Sequence, residues 1–239
     1  MIQHRDVISI SISDEEELIL ASDCSGGIGS KKGDAVIAEP ETVGYYCFRV
    51  AAMECLSVGA TLKAVQVLNF TSNSAWESYY SGVKKGLSEL NIEDIPITGS
   101  SESNIVLHQS ALGVTCIGMR KKERPFTSCH NLAHALIGTP LVGNEVITNV
   151  ASVAPLSLFM DCIHHPSIID ILPVGSKGVF HELSLLLGKP LKREGVTSIQ
   201  DLYKSSGPST SFIISYKKED EHDVRELTGR HFHSLHLSC

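Results

Sequence analysis

Three segments of this 239-residue chain place a carboxylate where a phosphate-bearing ligand and its counter-ion could be held. The first begins at Asp23, which closes the apolar run Leu18-Ile19-Leu20-Ala21-Ser22. It continues as Cys24-Ser25-Gly26-Gly27-Ile28-Gly29-Ser30-Lys31-Lys32-Gly33-Asp34, with four glycines in eleven residues. So many glycines read as a loop, and glycine lets backbone N–H groups approach phosphate oxygens closely. Lys31 or Lys32 would add a point charge. Asp23 and Asp34 have the hard oxygens that Mg²⁺ prefers. The spacing is neither that of a P-loop nor that of a dinucleotide fingerprint. The competing reading is a flexible connecting loop.

The second segment, Arg49 to Ala60, is mostly apolar and is interrupted by Glu54. A buried carboxylate is costly unless it is paired or bound to a metal. Arg49 lies five residues earlier, which is poor alignment for a pair within one helix. The competing reading puts Glu54 on a solvated helix side. In the third segment, Gly99-Ser100-Ser101-Glu102-Ser103-Asn104, Glu102 sits among small hydroxyl residues that leave room for a ligand. A hairpin turn has the same composition.

Histidines offer weaker patterns. His130 and His134 are four apart on an expected short helix, without the glutamate of a zinc-protease motif. His164-His165, and His231, His233 and His236 with Cys239, are further candidates. A zinc site needs three or four converging ligands, so a helix surface and a disordered tail are the plainer readings. No Gly-x-Ser-x-Gly elbow supports a serine hydrolase.

The elements that must position these residues follow from periodicity. Strands are expected at Val7–Ile12, Leu18–Ser22, Leu62–Phe70, Ile95–Thr98 and Leu112–Met119, with Asp14–Glu17 as a turn. Helices are expected over Thr42–Val58, ended by Gly59, and over Ser74–Leu90. Beyond a basic run at Met119–Arg124 the pattern predicts helices at Asn131–Ile137, Ala154–Ile163 and Val179–Leu187. It predicts strands at Glu145–Val150, Ile168–Val174 and Ser209–Tyr216. The fold class is α+β (mixed α/β), with domains at 1–120 and 125–239.

Composition sets the limits. The chain is 42% hydrophobic and 20% charged, with net charge −7, and lacks the broad basic face that nucleic-acid binding needs. Seven cysteines without a C-x-x-C fit a reducing compartment better than a disulfide framework. No signal pattern opens the chain and no apolar run is long enough to cross a membrane. A cytoplasmic protein with no membrane partner is expected.

The order of the carboxylate segments resembles that of the aminoimidazole ribotide synthetase-like (PurM-like) ATP-binding superfamily. Its members include thiamine-monophosphate kinase, selenide water dikinase and HypE. The matching residues are Asp23, then Ala51-Ala52-Met53-Glu54-Cys55-Leu56-Ser57-Val58-Gly59-Ala60-Thr61-Leu62, then Ser100-Ser101-Glu102-Ser103, and the strand Ala111–Gly118. The resemblance covers about residues 7 to 119 well. It implies that Asp23, Glu54 and Glu102 are catalytic and hold Mg²⁺ against ATP. It also implies that Gly26, Gly27, Gly29, Lys31, Lys32 and Asp34 line the phosphates, and that the amino-terminal domains pair into a homodimer. The chain departs from the family pattern at Ala51 (asparagine), Glu54 (aspartate) and Ser100-Ser101 (a glycine pair), and its second domain is short.

Within the superfamily, the segment Asp23–Asp34 with Arg49-Val50-Ala51 and Glu54 looks most like α-ribazole kinase. That implies phosphoryl transfer from ATP to the small molecule α-ribazole, in salvage of the cobalamin lower ligand. The alternatives are another enzyme of the superfamily, such as thiamine-monophosphate kinase or a ring-closing synthetase, and a nucleotide-binding module without catalysis.

Overall fold

A computed structural model describes residues 6–122 and 131–237. They form two compact units, one on each side of the undescribed stretch.

In the first unit the chain makes β1 (Val7–Ser11), β2 (Glu16–Gly26), two short strands β3 (Ile28–Gly29) and β4 (Val36–Ile37), and helix α1 (Pro40–Ser57). Strand β5 (Thr61–Asn69), helix α2 (Trp76–Glu89), and strands β6 (Ile97–Ser101) and β7 (Ala111–Lys121) complete it. The sheet order is β1-β2-β7-β5-β6; only the β5–β6 pair is parallel. One face is apolar because period-2 alternation buries Ile19, Ala21, Val65, Val67, Leu112, Val114 and Cys116. Helices α1 and α2 pack on that face.

The two helices meet at backbone level. A methyl group on Gly44 would lie 2.7 Å from the Tyr79 carbonyl oxygen, and one on Gly82 would meet Glu41 O and lie 2.6 Å from Tyr45 N. Glycine is thus required at this crossing by close approach. At the end of α1, Gly59 takes φ 79° and its N–H reaches the Leu56 carbonyl, the expected stop.

The second unit contains β8 (Leu132–Ile137), α3 (Asn144–Thr148), α4 (Leu156–His164), β9 (Ile168–Pro173) and α5 (Val179–Leu186). It ends with β10 (Val196–Thr197), β11 (Phe212–Lys217), α6 (Glu221–Thr228) and β12 (Phe232–Leu237). The sheet order is β10-β12-β8-β11-β9, antiparallel throughout. Val179 and Leu183 of α5 pack on Leu136, Ile213 and Leu235. On the opposite face Phe159 of α4 meets Phe212 edge-on, and Arg225 of α6 stacks 4.0 Å from the Phe232 ring centroid.

The mixed α+β class holds, while several boundaries differ. Glu16 and Glu17 belong to β2, so the expected turn is shorter. Strand β2 also runs through Cys24 to Gly26, and β6 through Gly99 to Ser101, because partners Ala111 to Gly113 and Val67 to Asn69 continue the ladders. The segment at Asn131–Ile137 is the central strand β8 and not a helix. Its run Leu-Ala-His-Ala-Leu-Ile is buried on both faces, and such a run carries no period. The segment at Glu145–Val150 is mostly helix α3 and not a strand. Gly143 at φ 58° turns the chain into it, and Thr148 Oγ1 donates back to Asn144 O. Where a disordered tail is the plainer reading of the sequence, residues 232–237 form β12, which pairs with β8.

Gly82→Ala is expected to destabilise the protein by about 1–3 kcal/mol through overpacking. Gly113→Ala, whose methyl would sit 3.6 Å from Leu68, should stay within about 0.5 kcal/mol of wild type. Thermal melts of the two variants check this; equal melts would refute the crossing.

Candidate functional site

The ends of β2, β5 and β6 and the start of β7 share one end of the first sheet. Gly26 pairs with Ala111, and Asn69 pairs with Leu112 and Ser101. The glycine-rich segment and the loop after Glu102 leave from this end, so the topology brings together segments far apart in sequence.

The glycine-rich segment is not a flexible connector. Strands β3 and β4 pair within it, and Ala35 N and Ala38 N donate to Gly27 O and Gly29 O at 2.7 and 3.0 Å. The Asp34 carboxylate accepts from Lys31 N at 2.9 Å, from Ser110 N at 2.7 Å and from Ser110 Oγ at 2.7 Å. Lys31 Nζ donates to Leu107 O at 2.9 Å, and Gln109 Nε2 donates to Gly33 O at 2.7 Å. Lys31 and Asp34 therefore hold two loops together here. The glycines divide accordingly. A methyl on Gly29 would run into Ser110 Oγ, and one on Gly33 would lie 2.7 Å from His108 O, whereas Gly26 faces open space. Gly27, at φ 70°, donates its N–H to Ser110 O at 2.8 Å. Lys32 is exposed.

Asp23 lies within β2, not at its end. It is half-buried and faces α1, where the Cys47 thiol hydrogen-bonds to it. Burial pushes its carboxyl up to about 6, against the lowering effect of hydrogen bonds from the Cys24 backbone and Cys47. The same burial, with the Asp23 charge beside it, pushes the Cys47 thiol well above its ordinary range. Desolvated titratable groups of this kind cluster at functional sites, and Asp23 stands three residues before the end of β2, from which the glycine-rich segment leaves.

Glu102 stands just past β6, its N–H donating to Asn69 O at 2.8 Å. Its Oε1 accepts from Asn104 N at 2.7 Å and from Ile105 N at 3.1 Å, which holds the carboxyl below its ordinary value. Part of its acceptor capacity thus shapes its own loop.

Glu54 is not on a solvated side of α1: it is 9% exposed, and Arg49 is 0% exposed. Nor does it join Asp23. Glu54 lies seven residues beyond Cys47, about 10 Å further along the helix axis at 1.5 Å per residue. The adjacent Cys55 sits against Gly118, which pairs with Ile19, four residues before Asp23. Among the described residues no three His, Cys, Asp or Glu side chains converge as a metal site. The three carboxylates therefore do not form one metal cage within the chain.

The candidate histidines are also separate. His134 is buried in β8, with Nδ1 2.9 Å from Ser215 Oγ. His165, just after α4, accepts from Ser167 N through Nδ1. His231 is buried, and His233 contacts Gln200. His130 and Cys239 lie outside the described residues. Sequence reading missed Cys47, Ser110, Asn69 and Thr71. Thr71 Oγ1 is 2.6 Å from Tyr79 OH and accepts from Ala111 N at 3.1 Å, fixing the start of β7. Only the polar stretch Thr71–Ser74 hinted at a built loop.

No protein-family profile and no curated protein matches the chain. Solved structures do. Thiamine monophosphate kinase from Aquifex aeolicus is 13% identical, with TM-score 0.61 over 98% of this chain and 89% of that one. AaThiL complexed with AMPPCP and TMP is 14% identical, with TM-score 0.60 over 98% and 84%. HypE in the HypE–HypF complex is 11% identical, with TM-score 0.60 over 96% and 87%. The chain has the PurM-like fold. At such identities the likeness establishes architecture alone. Among the described residues no helix is long and apolar enough to cross a membrane.

Asp23 gives a pH test. Its folded value, about 6, exceeds the ordinary 3.8. The folded state then binds the proton more tightly, so its contribution is full below about 4 and is lost as pH rises to about 6. Without nucleotide, Asp23→Asn should be more stable than wild type at pH 8, by on the order of 2 kcal/mol, and nearly equal to it at pH 4. Melting curves across this range decide it; parallel curves for the two proteins would count against a desolvated Asp23.

Proposed function

We propose that the chain is a Mg-ATP-dependent kinase that transfers a phosphoryl group to a small molecule, specifically α-ribazole, giving α-ribazole 5'-phosphate. The observation that carries the reading is the half-buried Asp23, its carboxyl raised by desolvation, three residues before the end of β2 from which the glycine-rich loop leaves. The PurM-like fold supports it, since AaThiL is described with AMPPCP and TMP and a PurL from T. maritima with ATP, although the chain spans only 42% of that PurL.

The residues have distinct tasks in this reading. Gly26 leaves space for phosphate oxygens beside the backbone, Gly27 supplies the turn at φ 70° next to it, and exposed Lys32 supplies charge. Lys31 contributes its charge from the loop junction while donating to Leu107 O. Asp23, ionised above about pH 6, and Glu102 present oxygens at the same sheet end. Mg²⁺ is proposed as the ion that accompanies ATP. Asp23, Glu54 and Glu102 do not fit a shared metal cage, and no step runs through one. Glu54 is assigned to the helix interior. Positioning and charge neutralisation are what phosphoryl transfer asks of a protein.

Residues 1–120 are proposed as the ATP-binding and dimerisation domain and 125–239 as a shortened carboxy-terminal domain. The homodimer is supported by the face of the first sheet that α1 and α2 leave uncovered. Ile8 (63% exposed) and Ile10 (49%) on β1 share it with Leu18, Leu20, Ile117 and Met119. An apolar sheet face of this kind marks an interaction surface. The location is proposed as cytoplasmic. A second reading, a nucleotide-binding module without turnover, is favoured by the carboxylates that fail to converge.

Pure protein with Mg²⁺ and ATP should melt higher, by about 2.7 kcal/mol of added stability at a hundred times Kd. It should release ADP only when α-ribazole is added, and Asp23→Asn should abolish that release. A shift without ADP release from α-ribazole or thiamine monophosphate would favour the binding module. Release with thiamine monophosphate alone would replace the acceptor. No shift with ATP would end the nucleotide reading. Light scattering should give a dimer, and Ile10→Glu with Leu20→Glu a monomer.

A further inference from the structure

We infer that Asp34 and Ser110 act as one positioning pair, which sets the shape of the Gly26–Gly29 backbone before ATP arrives; this rests on the ATP reading above. The two residues are 76 apart in sequence and make two hydrogen bonds at 2.7 Å, one from the Ser110 backbone and one from its hydroxyl. Ser110 is 1% exposed, so it has no surface to offer a ligand. Its carbonyl in turn accepts from Gly27 N at 2.8 Å, which places the pair one bond from the proposed phosphate loop. The next residue, Ala111, is gripped from the other side: its N–H donates to Thr71 Oγ1, and its O accepts from Phe70 N at 3.0 Å.

The fit around this joint is close. Neither Gly29 nor Gly33 could carry a side chain, because Ser110 Oγ and His108 O occupy the space. The carboxylate of Asp34 has both oxygens engaged, Oδ1 by Ser110 N and Oδ2 by Ser110 Oγ and Lys31 N. Asp34 thus spends most of its acceptor capacity as a buttress of the loop. A loop held in its binding shape need not be ordered by the nucleotide, and losing that order lowers apparent affinity without changing the bound complex. The pair should therefore act on KM and Kd for ATP and leave kcat alone.

The test is a double-mutant cycle. Asp34→Ala, which removes all three hydrogen bonds of the joint, should weaken ATP binding about tenfold by calorimetry and raise KM to match; Ser110→Ala, which keeps the backbone bond to Oδ1 and loses only the hydroxyl bond, should do so about threefold. The kcat value and the Mg²⁺ dependence at saturating ATP should stay within about twofold, as expected when only uniform binding is lost. The double variant should be no worse than Asp34→Ala, since without the carboxylate the Ser110 hydroxyl has nothing left to hold. Effects that multiply in the double variant, or a Ser110→Ala protein that binds ATP as wild type does, would overturn the pair. If Asp34→Ala does not fold, Asp34→Asn keeps the acceptor for Ser110 N and loses the one for Lys31 N. It should show a smaller change in the same direction. Amide hydrogen exchange on the free proteins separates the two claims. Either substitution should speed exchange in both 26–34 and 107–111. Unchanged exchange removes the pair whatever ATP does, and faster exchange in a chain whose wild type ignores ATP leaves the joint and removes the ATP reading.

Discussion

A single carboxylate, that of Asp34, joins parts of the chain that nothing in the local sequence connects. It accepts three hydrogen bonds, and two of them come from Ser110. A carboxylate bonded in this way is favoured in its charged form. Its partial burial pushes the carboxyl up, but the Ser110 and Lys31 hydrogen bonds and the Lys31 charge outweigh this and leave it below its ordinary value. The rest of the sheet end depends on the joint. The turn at Gly27, the start of β7 and the loop from Glu102 all meet there, and the glycines at 29 and 33 exist in the form they do because Ser110 and His108 press against them.

Against that fixed frame Asp23 is the exposed cost. It keeps a carboxylate half out of water on the face toward α1, with a thiol as its side-chain hydrogen-bond partner. Burying charge without a counter-charge is unfavourable, and that cost is what raises the Asp23 carboxyl above its ordinary value. Glu54 illustrates a different outcome. The sequence shows that it interrupts an apolar helix, but helix rise and strand register carry it to the other end of the sheet. Carboxylates that follow one another in order along a chain can thus take up separate positions in space.

The second unit shows where periodicity fails as a guide. Apolar helical segments such as α4 and α5 were legible. Strand β8 was not, because a central strand buried on both faces loses the alternation that would identify it. Strand β12 escaped notice because its histidines suggested a polar tail, whereas pairing with β8 gives them backbone partners and places Leu235 in the core. His134, read as one of two candidate ligands on a helix, is instead a core residue hydrogen-bonded to Ser215.

The sequence by itself determined the mixed α+β class, the two helices that cover the first sheet, the stop at Gly59 and the superfamily resemblance. Each of these depends on local spacing, on apolar period or on the conformational freedom of one residue. It also singled out Asp23 and the glycine-rich segment, since strand-then-glycines is a local pattern. Only the tertiary structure decided that Lys31 and Asp34 face Ser110 and Leu107, that Cys47 lies against Asp23, and that Glu54 stands apart. Those relations depend on which strands pair and in what register, and a register linking residues 76 apart is set by the packing of the whole sheet, which no short stretch of the chain encodes.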